Sequence, residues 1–395
     1  MLHSMLTWVG FIISLTVILF VARRSLPLAL FCGAIILGLF TLPLLTISRL
    51  VGGTVSDASV LLLGLAMGFI PMIGGTMKES GQMDALVNNL RIGKRGLMAL
   101  SPAMMGLLPM PGGALLSAPI LEKGGAGVPD DLKVAINDWF RHLFVLIYPL
   151  SSALIASAKI VDLSVYSAAL YLFPTFCVAL FLGYIFLVRR VNGKIDYAEA
   201  FSLKGLLMPL GIVLIAPALD FSLKKLAYLP VQELATVIGV GVAFVFSILL
   251  SRNRLDLITI ARKMKPWNFT LIIVGMFIFL NIFRESNAAS AIASIPLPPL
   301  TLCVVAGFFL GVATGRVILP ASIILPVYLS STSITPVVFA LIYTSIFFGY
   351  VISPVHPCVG VSVEYFNVPM KNFLKLLMPP TFIIFILVLI ISSFI

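Results

Sequence analysis

The sequence predicts an all-α polytopic membrane protein made of two inverted repeats, each with five transmembrane helices and one re-entrant hairpin. Three observations carry this expectation. The 395 residues are 60% hydrophobic and only 10% charged, whereas soluble domains carry roughly 25% charged residues. Apolar stretches of about 20 residues, the length a helix needs to cross hydrocarbon, recur along the chain. Motifs from the first half return in the second, in the same order and at nearly constant spacing.

Composition also excludes several classes. The net charge of +11 could suggest nucleic acid. The basic residues fall in short loops between apolar stretches, so membrane orientation accounts for them and no nucleic-acid partner is expected. The longest polar stretch, Arg189 to Lys204, is too short to bury a core of its own. Cys32, Cys177, Cys303 and Cys358 lie in apolar surroundings without CxxC spacing, so they read as packing residues. No disulfide, metal site or cofactor is expected. Residues 5–22 resemble a signal-peptide core, but Arg23 and Arg24 follow the stretch and no small-residue cleavage site appears. They are expected to form an uncleaved first span with its N-terminus outside. No phosphate-binding G-x-x-x-x-G-K-[ST], zinc-type His/Glu spacing or G-x-S-x-G elbow is present, which argues against ATP drive and against an enzyme.

In chain order, apolar segments run over 5–22, 27–47, 58–77, 97–121, 133–158, 165–188, 205–219, 231–250, 268–283, 298–328, 336–365 and 372–394. These form two sets of six. Lys78-Glu79-Ser80 returns as Arg284-Glu285-Ser286, Gly106 as Gly311, Pro119 as Pro326, Pro149 as Pro354, and Phe173-Pro174-Thr175-Phe176 as Pro379-Pro380-Thr381-Phe382. The expected division is a first repeat over 1–190, a cytoplasmic linker over 191–204 and a second repeat over 205–395. Glu79 and Glu285, each beside a cation, read as interfacial ion pairs, and Asp220 reads as a loop residue.

Charge decides whether the fourth segments, 97–121 and 298–328, cross the bilayer. If they turn back while all others cross, 19 basic residues fall on one side and 5 on the other, with Arg141 and Arg316 at membrane depth. If all twelve crossed, the split would be even. The positive-inside rule selects the re-entrant arrangement, giving about 10 spans with both termini outside. Five crossings per half invert the second half relative to the first.

Four breaks should converge on a site. They are the tip of the first hairpin, Leu108 to Ala114; the second tip, Ala313 to Arg316; Tyr148 to Ser152 in one fifth segment; and Ser353 to Pro357 in the other. Proline and glycine interrupt helices and free backbone groups, which hydrocarbon tolerates only beside protein or water. Half-helices starting near Gly112-Gly113 and Ser151 would aim N–H groups at an anion. Arg316 could grip a carboxylate bidentately. Thr314, Ser151, Ser152, Ser353 and Tyr148 add hydroxyls. His356, in a break, is a candidate proton carrier, and Glu364 is a second coupling candidate. Bland readings stand beside these: Gly307, Gly311 and Gly315 as a packing stripe, the prolines as kinks, Arg316 as half of a structural pair, and Asp138 with Arg141 or His142 as a local ion pair.

The run Leu108-Pro-Met-Pro-Gly-Gly-Ala114, with Ser353-Pro-Val-His-Pro357, resembles an uncharacterised prokaryotic integral membrane family labelled only as a domain of unknown function. That family lies within the ion transporter superfamily of gluconate, citrate, dicarboxylate, arsenite and sodium/proton carriers. The resemblance spans nearly the whole chain. It implies substrate held between hairpin tips and helix breaks, at Pro111, Gly112, Gly113, Ser151, Ser152, Thr314, Gly315, Arg316, Ser353 and His356. It also implies a homodimer. The Ser-Asn-Thr tip triplet of dicarboxylate carriers is missing, so sodium-coupled dicarboxylate transport does not carry over.

The expected function is secondary active transport of a small organic anion, coupled to H+ or Na+, by a multi-pass protein of the plasma membrane. A cation/proton antiporter, a channel and a non-transport membrane protein remain the alternatives.

Overall fold

The computed structural model describes residues 2–107, 114–194, 200–251 and 253–395. Among them regular structure is helical, with no strand. The first half holds α1 (Leu2–Val21), α2 (Leu26–Thr41), α3 (Leu44–Ser56), α4 (Ala58–Glu79), α5 (Gln82–Asn88), α6 (Gly93–Gly106), α7 (Ala114–Gly124), α8 (Asp130–Ile147), α9 (Ser152–Ile160) and α10 (Val165–Phe186). The second holds α11 (Leu203–Leu226), α12 (Glu233–Leu249), α13 (Leu257–Met264), α14 (Pro266–Glu285), α15 (Ala288–Ala293), α16 (Pro299–Thr314), α17 (Ile318–Leu329), α18 (Pro336–Val351), α19 (Pro357–Tyr365) and α20 (Met370–Ser392). Local chemistry sets several starts. The Asp57 carboxylate accepts from the amides of Ser59 and Val60 to open α4, and Ser202 and Thr335 cap α11 and α18 with their hydroxyls.

Helix n of the first half corresponds to helix n+10 of the second. The nine-residue helices α9 and α19 lie 205 positions apart at both ends. Contacts come in exchanged pairs: α2 packs on α14 and α12 on α4; α7 on α19 and α17 on α9; α8 on α20 and α18 on α10. The corresponding helices α4 and α14 also pack on each other, antiparallel. Thr270 donates to the Gly64 carbonyl at 2.8 Å, and one turn along α4, Gly68 faces the Pro266 carbonyl one turn back along α14. Gly64 and Thr270 are themselves equivalent positions.

Both fourth segments fold back on themselves. Lys94, at the start of α6, donates to the carbonyl of Ala126, just beyond α7, at 2.6 Å. A continuous helix at about 1.5 Å per residue would hold these residues roughly 48 Å apart. In the second half, Gly307 of α16 faces Ile324 of α17, and the Cys303 thiol reaches the Ile324 carbonyl.

The fifth segments are broken. Helices α8 and α9 are bent by 43° across 148–151, and α18 and α19 are separated by 352–356. Among the described residues, five helices are long and apolar enough to cross a membrane, or six if α8 and α9 form one span. Helices α2, α12, α16 and α18 are apolar but shorter.

One local expectation is corrected, and the partner of another is settled. Asp220 is no loop residue: α11 runs past it, and it is 1% exposed. Tyr166 and Thr236 donate to its carboxylate at 2.6 and 2.7 Å, and Lys224 pairs with it at 2.9 Å, so the burial is satisfied. Glu79 pairs with Lys263 of α13 at 2.7 Å instead of its neighbour Lys78. Adjacent residues on a helix point in different directions.

Candidate functional site

The second hairpin tip and the break beside it form one unit. Gly315 ends α16 at φ +58°, donating its N–H to the Gly311 carbonyl at 3.0 Å. A left-handed residue of this kind is the usual glycine stop of a helix. Its Cα lies against Val355 and His356. Ser353 donates to the Val312 carbonyl at 2.6 Å, tying the break to α16. Pro357 opens α19 with His356 in the capping position, and the His356 side chain is turned into the protein at 3% exposure.

Facing His356 is α8, from the other half. Asp138, Arg141 and His142 sit within a turn or so of one another and are all buried. The His142 Nδ1–H donates to the Asp138 carbonyl at 2.7 Å, since a carbonyl can only accept. That nitrogen is 3.5 Å from the Asp138 carboxylate, and His356 Nδ1 is 3.9 Å from it. The two imidazoles stand 4.7 Å apart, centroid to centroid. Tyr350 lies against both, at 4.2 Å from His356 and 5.2 Å from His142. Neither carboxylate oxygen of Asp138 has a hydrogen-bond partner, nor does His356 Nδ1. Arg141 donates to the Met105 carbonyl at 3.3 Å and lies beside the Cys358 thiol. The half-buried Arg316 is within electrostatic reach of Tyr350 and Cys358.

Asn137 fixes the register of this assembly. Its carbonyl oxygen accepts from Ser117 at 2.6 Å, and its amide donates to Ser362 at 3.0 Å, joining α7, α8 and α19.

The corresponding place in the other half lacks this chemistry. At the offset of 205, Asp138, Arg141 and His142 become Tyr343, Ile346 and Phe347, all buried. His356 becomes Ser151 and Cys358 becomes Ala153. The charged cluster therefore exists once, at the boundary between halves.

Of the residues singled out from sequence, Gly315, Arg316, Ser353 and His356 gather here. Thr314 is next to them, but its hydroxyl is turned back to the Leu310 carbonyl at 2.7 Å. Ser151 and the half-buried Ser152 open α9 at the other break, with Ser151 beside Tyr343. Pro111, Gly112 and Gly113 lie outside the described residues. Tyr148 spends its hydroxyl on the Val213 carbonyl of α11 at 3.0 Å. Glu364 is exposed late on α19 and does not join the cluster. Asp138, Arg141 and His142, expected as no more than a local ion pair, instead form the centre of the cluster. The missed signal was three ionisable side chains in one turn of a segment at membrane depth, which are rarely bystanders.

A separate cavity of 470 Å³ lies between α9–α10 and α11–α12, lined by Lys159, Tyr166, Asp220, Lys224, Glu233 and Thr236. Lys159 and Glu233 pair there at 2.7 Å. Lys159 with Glu233 and Lys224 with Asp220 already neutralise each other there, so the cluster on α8 and α19 carries the stronger chemical case.

The fold is similar to the crystal structure of the YdaH transporter of Alcanivorax borkumensis, described as having an unusual topology. The TM-score is 0.59 over 88% of this chain and 87% of that one, at 15% sequence identity. At that identity the likeness is one of fold. No curated protein matches the sequence. The profile of the family described as "Protein of unknown function (DUF401)" matches residues 4–395, and the chain belongs to that family.

Proposed function

We propose that the protein is a secondary active transporter of a small organic anion of carboxylate type, driven by an H+ or Na+ gradient across the plasma membrane. The halves are taken as inverted repeats, 1–190 and 205–395, with about ten crossings and two re-entrant hairpins. This layout is supported by the exchanged contacts and by the antiparallel packing of α4 on α14; kinship to the gluconate, citrate and dicarboxylate carriers is proposed with it on the resemblance of the hairpin tips and helix breaks alone. The observation that carries the function is that Arg141 and Arg316 both reach Cys358 and Tyr350, next to a single buried carboxylate, Asp138, beside a hairpin tip and a broken helix. Two guanidiniums outnumber the one acid in a water-poor site, and an anion would balance them. Similarity in fold to a transporter supports the same reading. The hairpin-bearing bundles would move against a scaffold of α1, α2, α11 and α12, and a homodimer would steady that scaffold.

Uptake of a carboxylate panel into proteoliposomes, with and without proton and sodium gradients, tests this. Gradient-dependent uptake of at least one carboxylate, with KM raised tenfold or more by Arg316→Ala, is the expected result. Absence of gradient-dependent flux across the panel would remove the proposal.

Cation/proton antiport is the second reading, favoured by the unpartnered carboxylate of Asp138. It requires Asp138→Asn to abolish ion exchange while Arg316→Ala leaves exchange intact.

A further inference from the structure

Nothing in the spacing of His142, His356 and Cys358 along the chain suggests a metal ligand set. The fold nevertheless brings one donor atom from each to within 4.8 Å of the others. We propose that these three side chains, with Asp138 as fourth donor, bind a divalent late transition ion of the zinc class.

Four features point the same way. The Nδ1–H of His142 is committed to the Asp138 carbonyl, which fixes the tautomer and leaves Nε2 as a lone-pair donor. Metal-bound histidines are oriented this way by a backbone or carboxylate acceptor. His356 Nδ1 is buried and unpartnered, and so are both carboxylate oxygens of Asp138. Buried polar atoms without partners are costly and uncommon. One cation would satisfy all of them together. Ligands at about 2.0–2.3 Å on a tetrahedral ion sit roughly 3.3–3.8 Å from each other. The carboxylate is already 3.9 Å from the unpartnered His356 Nδ1, and small side-chain rotations bring it to His142 Nε2 and the Cys358 thiol.

Arg141 and Arg316 oppose any cation here, and this sets the selectivity. An ion held only by oxygen electrostatics, such as Mg2+ or Ca2+, gains too little from one carboxylate. An ion with strong bonds to thiolate and imidazole overcomes the guanidinium field, and the thiolate and carboxylate supply two negative charges beside it. The donors come from both halves, so occupancy would tie α8 to α19. The inference stands whether or not the protein transports anions.

The test uses the full chain in detergent, reduced, freed of any polyhistidine tag and stripped with chelator. Cobalt titration should give one equivalent bound, with visible tetrahedral bands and a near-ultraviolet thiolate-to-cobalt charge-transfer band. Cys358→Ser should remove the charge-transfer band, and Cys32→Ser should leave it unchanged. His356→Ala should weaken zinc binding at least tenfold in competition with a chromophoric chelator, and Mg2+ should not compete. Zinc should raise the melting temperature of the wild type but not of Cys358→Ser, which separates lost binding from lost folding. No stoichiometric uptake by the wild type, or a charge-transfer band that survives Cys358→Ser, would overturn the site.

Discussion

Gly315 and His356 meet backbone to backbone: a methyl group on Gly315 would come within 2.8 Å of the His356 nitrogen and 3.0 Å of its Cα. The tip of the second hairpin thus sets the position of the break that carries His356. Alanine at 315 faces two penalties. The left-handed backbone, φ +58°, costs a non-glycine residue about 1–2 kcal/mol, and the methyl group pushes the break away. Gly315→Ala should lower the melting temperature in detergent by several degrees and displace His356 enough to reduce any transport or metal binding at the cluster. Gly360→Ala, with open space around its Cα, is the control and should change neither. Equal behaviour of the two variants would mean that the tip does not order the break.

Gly106 and Gly311 make the same contact in the two halves. A Cβ on Gly106 would overlap the carbonyl of Arg141, and one on Gly311 would overlap that of Ile346. Each glycine stands 35 residues before its partner. The overlap involves backbone on both sides, so rotamer change cannot relieve it. Alanine at either place should cost about 1–3 kcal/mol through forced separation of the hairpin from the fifth segment. The prediction is one of parity: both variants should lower the melting temperature by similar amounts. Only Gly106→Ala should also disturb the Arg141 side chain and hence the cluster. A harmless Gly106→Ala beside a damaging Gly311→Ala would argue that the two halves are not packed alike.

Much of this architecture is legible in the sequence because proline and glycine act locally. Pro149 and Pro354 mark the two broken helices, and Gly315 marks the hairpin turn, because each removes a hydrogen bond or permits a backbone angle where it stands. The matched order of motifs likewise sets helices of the two halves side by side without reference to folding. Contacts between halves are not local. Asp138 and His356 lie more than 200 positions apart, and an apolar segment of all-round hydrophobicity does not say which neighbour a given residue meets. Helix periodicity made Asp138 a partner of its own turn, which is half true: His142 uses the Asp138 carbonyl and also nears the carboxylate. Asp220 was misplaced for a related reason. An acid ends an apolar run on paper, but Tyr166, from 54 positions away, helps keep it inside.

Asp220 yields a coupling prediction. Its carboxylate accepts from Tyr166 and Thr236 and pairs with Lys224, whose side chain is 26% exposed. Removing the acid leaves a lysine with some access to water and two neutral hydroxyls, which costs about 1–3 kcal/mol. Removing the lysine leaves a buried carboxylate held only by those hydroxyls. Lys224→Ala should therefore destabilise at least as much as Asp220→Ala. The double variant should lose clearly less than the two single losses added together. Melting temperatures of the four proteins in one detergent give the cycle directly, and strict additivity would exclude a working ion pair.

Asp256 supplies the pH dependence. It lies outside the spans, ahead of α13, and its carboxylate accepts from the Thr259 hydroxyl at 2.5 Å and from the amides of Thr259 and Ile258, each at 3.1 Å. The Thr259 hydroxyl, then the Thr259 amide, hold its pKa below the ordinary value of 3.8. A pKa lowered in the folded state means that the cap is fully effective above the unfolded value and fails as pH falls through the folded one. Protection of the Ile258 and Thr259 amides, corrected for intrinsic exchange, should therefore stay flat from pH 7 to about 5 and collapse only below the normal aspartate range of about 3.9. Lys263 on the same helix pairs with exposed Glu79 of α4, a second carboxylate holding α13, so a second arm is needed. Asp256→Ala at pH 7 removes the cap while leaving the Glu79–Lys263 pair untouched. It should reproduce the acid loss of protection at residues 257–259. Protection lost near pH 6 in the wild type, or retained in Asp256→Ala, would show that something other than this carboxylate starts α13.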